Sequence, residues 1–584
     1  MIAVHVTHEA VEKMGGIGAV IAGLVTSKPY QSAFPRTVLA GPLLTTDRPP
    51  AERFGAGGSV IYSSLDGIDT DGWAAKFKPI EQTYQVGILY GLRQLTDGPT
   101  GKPAEVEVLL TDVFRCNRDR LNLFKGELFA KFGVPSDCFE HIWEFEEYVR
   151  LAEPLYEALR VIGCVGSASD PVVMLAHEYM GLPAALKAML DGRPDVRAVF
   201  YAHEVASIRH VIENHPGHDL MFYNLLARGE KQGKGLEDFF PQIRDFYKHP
   251  LIKAGRHCDA IFAVGDLVAR EMAFLNPASG PPAMEVVYNG VPCERQEPAQ
   301  RQAHRARMKA YAGELLGFEP DYVFTHVARP VLSKGLWRDL RVLHELESIF
   351  ADSGRTAVFF MLGTLAGQRR TKDILNMERQ YGWPVNHRIG YPDLCNGEET
   401  PGSLFADFNA HHRAVRVVLV NQFGWERRLC GTRMPQEMSF ADIRRGTDVE
   451  FGMSLYEPFG ISQLEPLGFG GICLVSSVCG CMGFVRQATG GKVPVNVLEA
   501  NFTDLTAVGP VRPEEATTVH CDAVAKVEGK RVAAELARRL PTDQADVAEL
   551  LKSGWDLAEK LRWDRVVEEM FLPAIRRMCE EDEV

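Results

Sequence analysis

Residues 13–18, Lys13-Met-Gly15-Gly16-Ile-Gly18, stand between an apolar run (2–7) and a helix-forming stretch (19–26). Glycines at such a junction let backbone N–H groups approach an anion, and the dipole of the following helix adds positive potential. The spacing is not GxGxxG, and the next apolar run, 36–40, carries no terminal acid to hold a ribose, which argues against a dinucleotide site. Glycines serving only a tight turn are the plain alternative. Lys13 beside them favours a phosphate or a sugar.

A second segment, Arg329-Pro-Val-Leu-Ser-Lys334-Gly335, follows the apolar run 322–327. Arginine can pair bidentately with phosphate oxygens, and lysine supplies a compact charge. Two cations on a solvated helix face are common, but their place directly after a strand favours a ligand. A third segment, Tyr456-Glu457-Pro-Phe-Gly460-Ile-Ser-Gln-Leu-Glu465, sets one carboxylate before an expected helix and another eight residues on. A loop acid suits a sugar, and a helical acid suits a ribose. An acid answering a helix dipole would account for only one of the two.

The fourth feature is a pair of turns, His177-Glu178 and His203-Glu204, each ending an apolar run. A lone histidine is more often packed or capping, but two His-Glu pairs at strand ends favour function. Neither has HExxH spacing, so a zinc protease is excluded. Asp69-Thr-Asp71 could imitate a metal-binding pair, but it lies in a Gly/Asp-rich stretch with no strand before it and reads as a turn.

The elements that must position these residues alternate. Apolar runs at 172–176, 196–202, 260–264, 357–362, 415–420, 449–455 and 472–476 are interleaved with helical stretches, which implies parallel sheets covered on both faces. The charged stretch 294–305 shows little apolar periodicity and reads as a linker or surface helix. The expected architecture is α/β with two Rossmann-like doubly wound domains, 1–305 and 306–560, facing a central cleft. An insertion is expected near 382–446, and residues 561–584 form a C-terminal helix that could cross back to the first domain. In such sheets ligands bind beyond the carboxyl ends of the strands, where all four segments fall.

Composition bounds the function. The chain has 584 residues, and its 64 Lys+Arg against 77 Asp+Glu give a net charge of −13, a poor match to nucleic acid or an anionic membrane. No run approaches the length of a membrane span, and the first residues lack a secretory pattern, so a cytoplasmic protein is expected. The 12 cysteines contain no CxxC pair, and Cys479-Gly-Cys481 alone is weak evidence for a metal.

Together the four segments resemble the retaining glycosyltransferases of the GT-B fold, and among them the glycogen and starch synthases. Lys13-Met-Gly15-Gly16-Ile17 resembles the family's Lys-x-Gly-Gly-Leu/Ile loop, and His177-Glu178-Tyr179 its His-Asp/Glu-Trp turn. His203 falls on the histidine after the next strand, Arg329 and Lys334 on an Arg-x4-Lys pair, and Glu457 with Glu465 on an E-x7-E signature. Gly480-Cys-Met482-Gly483 stands where the family has a small phosphate turn. The resemblance spans roughly 1–300 and 320–500. Two departures stand out. Ala19 replaces an acid found in bacterial and plant members, and 382–446 has no evident counterpart.

The resemblance implies transfer of a hexose, expected to be glucose, from an ADP- or UDP-sugar to an α-glucan, with retention at the anomeric carbon and no cofactor or obligatory metal. It makes Arg329 and Lys334 the diphosphate-binding cations, with Lys13 and the backbone of Gly15, Gly16 and Gly18 lining the diphosphate and sugar. Glu457 and Glu178 would face the sugar, Glu465 the ribose, and His203 would hydrogen-bond near the sugar. Gly460, Met482 and Gly483 would complete the donor site. The expected partners are a nucleotide sugar and a sugar acceptor, with room for a homo-oligomer. The rivals are a sucrose- or trehalose-type synthase with a small acceptor, a pyridoxal-phosphate phosphorylase of the same architecture, and a non-catalytic glycan-binding protein.

Overall fold

The computed structural model describes the chain except for residues 13–14, 56, 97–102, 167–170, 278–282 and 581–584. Two units emerge. The first comprises Met1–Ile208, Arg228–Gly290 and Trp563–Val584, and the second Arg209–Ala227 and Val291–Arg562.

The first unit is built on ten strands: β1 (Ile2–Val6), β2 (Arg36–Pro42), β3 (Ser59–Ser63), β4 (Ile68–Asp69), β5 (Gly87–Leu95), β6 (Ala104–Asp112), β7 (Val172–His177), β8 (Val196–Ala202), β9 (Ala260–Ala263) and β10 (Met284–Val286). Their order is β10-β9-β8-β7-β1-β2-β6-β5-β3-β4. The strands from β10 to β6 run parallel, and β5, β3 and β4 add an antiparallel edge. Strands β1 and β7 are buried along their whole length, as expected of a sheet covered on both faces. The polar His5 in the middle of β1 is therefore an exception that needs a partner.

The antiparallel edge answers one sequence expectation. Asp69 ends the two-residue strand β4, and its carboxylate accepts the N–H groups of Trp73 (2.8 Å) and Ala74 (3.1 Å) at the next helix start, a structural role.

The second unit carries six parallel strands: β11 (Tyr322–Val327), β12 (Ala357–Leu362), β13 (Val415–Val420), β14 (Val449–Gly452), β15 (Ile472–Ser476) and β16 (Val497–Ala500), ordered β13-β12-β11-β14-β15-β16. Alternation places Phe324, Phe359, Val417, Phe451 and Leu474 in one core and Val323, Val358, Phe360 and Val418 in the other.

Two expectations change here. The charged stretch read as a linker or surface helix does run into a helix, Pro298–Leu316, but one whose Met308, Tyr311, Ala312 and Leu315 enter the second core at i, i+3, i+4 and i+7. The units accordingly divide at Gly290–Val291 rather than near 305. The stretch 382–446 is only in part an insertion, because it contains β13 and the helix Glu399–His411, whose Phe405 and Phe408 are buried in the first of those cores.

From Thr518 the chain is largely helical, and after Arg562 it returns to the first unit. There the Trp563 ring lies against Gly23 and Gly290, where an added Cβ would come within 2.2 Å and 2.6 Å of the indole. Phe571 is buried among Tyr30, Phe34 and Phe262.

Candidate active site

In the first unit the candidate residues gather at the carboxyl ends of β1, β7 and β8. The glycine loop precedes the helix Ile17–Val25. Gly16 has open space where a Cβ would stand, as a ligand-approach position requires. Glu9, missed as a site residue, is buried under this loop. Its Oε2 accepts the Gly18 N–H at 2.8 Å, and a Cβ on Gly15 would lie 3.0 Å from its Oε1. A carboxylate of the chain itself therefore takes one of the N–H groups expected to serve an anion. Lys13 lies outside the described residues.

Glu178 opens the helix Glu178–Asp191 with a φ of 61°, a left-handed conformation costly for a side chain bearing a Cβ. Gly181 lets this helix seat tightly, since a Cβ there would come within 2.7 Å of Ala176 Cα and Val6 O. Glu178 is 4% exposed. Its Oε1 accepts the Glu204 N–H at 2.5 Å, and Oε2 has no hydrogen-bond partner among the described residues. Burial, reinforced by the Glu204 charge, pushes its pKa well above the usual carboxylate range. Glu178 thus secures the turn after β8 through one oxygen, while its second oxygen stays uncommitted.

His203, half-buried just past β8, ends a chain whose other rings are fully buried. Its Nε2 lies 2.7 Å from His177 Nδ1, and His177 Nε2 lies 2.8 Å from His5 Nδ1. His5 Nε2 lies 2.8 Å from the Tyr30 hydroxyl, which is 3.3 Å from Thr37 Oγ1. Burial pushes His5 and His203 down to about 3 and His177 well below its ordinary value, so all three rings are neutral at physiological pH. Tyr201 stacks on His177 and His203.

In the second unit, Arg329 follows β11, is exposed, and has no ion-pair partner among the described residues. A short turn, Leu332–Lys334, precedes Gly335 and the helix Leu336–Ser353. Gly335 adopts a φ of 63°, and a Cβ there would meet Met453 O at 2.7 Å. Ser333 O accepts the Leu455 N–H at 2.7 Å. This close seating of two loops brings the Lys334 ammonium onto Glu457 Oε2. Gln463 Nε2, 3.4 Å from the same oxygen, was also missed.

Gly460, at φ 88°, precedes a single helical turn, Ile461–Leu464. Glu465 therefore sits at the end of that turn rather than inside a long helix. It pairs with Arg444 at 2.6 Å, and Arg444 also reaches Glu450 at 3.1 Å. The phosphate turn begins the helix Gly480–Thr489. Its first N–H groups are engaged: Gly480 donates to Glu457 O (3.0 Å), Cys481 to Phe459 O (2.9 Å) and Met482 to Cys479 O (3.0 Å). Met482 is buried and Gly483 partly so. Here the turn visibly holds the Glu457 loop in place.

A cavity of about 540 Å³ elsewhere in this unit, between β16 and the helix Thr518–Arg539, contains none of the candidate residues. Its Arg531 and Arg539 are tied to Glu528, Glu535 and backbone carbonyls. Among the described residues no group of three or more His, Cys, Asp or Glu could hold a metal ion, and no helix is long and apolar enough to cross a membrane. All twelve cysteines are free.

No family model and no curated protein matches the chain. Among solved structures it is similar to the catalytic domain of starch synthase IV from Arabidopsis thaliana bound to ADP and acarbose, with a TM-score of 0.54 and 13% identity over 99% of both chains. An α,α-trehalose-phosphate synthase (UDP-forming) from Burkholderia vietnamiensis gives 0.49 and 14%, covering 99% of this chain and 100% of that one. A trehalose-6-phosphate structure from E. coli, bound with UDP-2-fluoro glucose, gives 0.48 and 13% over 99% of both. Two parallel-dominated α/β sheets and a helical C-terminal tail give this chain the GT-B fold.

Proposed function

We propose that the chain is a retaining glycosyltransferase that moves a hexose, expected to be glucose, from an ADP- or UDP-sugar to an α-glucan, in the manner of a glycogen or starch synthase. The observation that carries this reading is the arrangement after β11 and β14: a Lys334 ammonium fixed by Glu457, on the same loop as an exposed Arg329 that has no ion-pair partner among the described residues. A departing nucleoside diphosphate gains negative charge as the glycosidic bond breaks. Cations already positioned for it stabilise that charge without reorganising. Glu457 orients the ammonium before the ligand arrives, and Arg329 is available to pair bidentately with phosphate oxygens. The fold agrees, and the similar starch synthase domain was solved with ADP and acarbose.

The test is transfer from ADP-glucose and UDP-glucose to glycogen, maltooligosaccharides, glucose 6-phosphate and fructose, with the product's anomeric configuration read by NMR. Retained configuration on a glucan supports the proposal, inversion overturns retention, and turnover only on a small acceptor moves the chain to a disaccharide-type synthase. Arg329→Ala and Lys334→Ala are each expected to lower kcat by about 10²–10³ with the fold intact. Wild-type turnover in both would remove the diphosphate role.

A further inference from the structure

The row of rings from Tyr30 to His203 has a direction. Every bond in it can be read two ways, because a neutral imidazole donates from one nitrogen and accepts at the other. The 3.3 Å contact between the Tyr30 and Thr37 hydroxyls is used in both directions; if protons point away from His203, Tyr30 accepts from His5 and donates to Thr37 Oγ1. The Thr37 hydroxyl is then left without an acceptor among the described residues, in a side chain only 7% exposed. If protons point towards His203, every buried donor is used. Thr37 donates to Tyr30, and Tyr30 donates its phenolic proton to His5 Nε2 at 2.8 Å, a normal length for a good donor meeting a good acceptor. His5 Nδ1–H then donates to His177 Nε2, and His177 Nδ1–H to His203 Nε2. Unsatisfied buried donors are costly, so the second arrangement wins.

We infer that Tyr30, His5 and His177 are positioning residues that lock His203 in its Nδ1–H tautomer, so that the half-buried ring presents an N–H donor to a ligand oxygen. The sheet order makes this possible, since His5, His177 and His203 lie on or just after the adjacent strands β1, β7 and β8. With Nε2 committed to His177 and no described group bonded to Nδ1, His203 serves as a neutral donor and not as a base. The low proton affinity of all three rings agrees with this assignment. The ligand oxygen is identified as that of a sugar only through the function proposed above.

The experiment is nitrogen NMR of the full chain carrying 15N-labelled histidine, without substrate, with His203 assigned from the signal lost in His203→Gln. A single Nδ1–H tautomer at His203 is expected, and an Nε2–H tautomer overturns the inference. Two variants extend the test. His5→Asn places an amide N–H where His5 Nδ1 stands and should preserve the tautomer, whereas His5→Leu should abolish its uniqueness. If His5→Leu leaves His203 purely Nδ1–H, the relay does not set the tautomer. Should neither variant fold, the wild-type spectrum alone decides. Activity is read separately: transfer should fall about tenfold in His5→Leu and recover in His5→Asn, the loss expected of one hydrogen bond. Absence of any transfer would count against the proposed function while leaving the tautomer result standing.

Discussion

At the scale of single residues, Glu178 owes its raised proton affinity to burial and to the neighbouring Glu204 charge. Its folded pKa lies above its unfolded value, so the native chain keeps a proton that the unfolded chain releases. The resulting stability is complete below the unfolded carboxylate range and is lost as pH rises towards the folded value. Glu178→Gln keeps an acceptor for the Glu204 N–H and removes the titration. Urea unfolding at pH 5 and pH 8 should therefore show the variant gaining on wild type at the higher pH, and an equal difference at both would contradict the assignment. The sequence displayed the types and strand-end positions of His177, His203, Arg329, Lys334 and Glu457. It did not display their partners. Glu9 reaches Gly18 across a loop, His5 meets His177 across 172 residues, and Arg444 meets Glu465 through a turn too short to announce itself. Such pairings depend on strand order, which apolar runs alone do not specify. A histidine inside an otherwise apolar strand was the one available signal for the relay.

At the scale of elements, the segment between β12 and β13 is held by a buried polar cluster. Arg369 pairs with Glu398 and also donates to Pro392 O at 2.6 Å. Glu398 further accepts from Thr364 (2.7 Å), Leu365 N–H (2.8 Å) and Asn421 (3.0 Å). Burial opposes ionisation of Glu398, but these donors and the Arg369 charge outweigh it and hold the carboxyl below its usual range. Because the folded pKa is depressed, the stability it contributes is present above the unfolded carboxylate range and is lost as pH falls through the folded value. Breaking such a pair leaves an uncompensated buried charge, so Glu398→Gln should cost about 3–5 kcal/mol in urea unfolding at neutral pH. A loss below about 1 kcal/mol would mean that the cluster is dispensable, on the same scale. The strands of both sheets were legible because buried parallel strands write themselves as apolar runs. The buried face of the helix Pro298–Leu316 was not, since its charged first half, which reads equally as a linker or a surface helix, masks the periodicity of Met308, Tyr311, Ala312 and Leu315.

At the scale of the whole molecule, the first unit is assembled from three separate stretches, the last beginning at Trp563. Gly23→Ala would thrust a methyl into the Trp563 ring and should cost about 1–3 kcal/mol, whereas Gly67→Ala, with open space around it but a positive φ, tests backbone strain without overpacking. Truncation after Arg562 removes Trp563, Phe571 and Ile575 from the core and should yield an insoluble chain; a soluble truncated protein with an unchanged melting temperature would refute the packing role. The position of these residues also orders events during synthesis. At about 5–20 residues per second, a ribosome needs roughly 25–110 s to pass from Tyr30 to Trp563. Through that interval the nascent polypeptide must carry an open apolar seam beside Tyr30 and Phe34, which makes the sheet of the first unit a chaperone client.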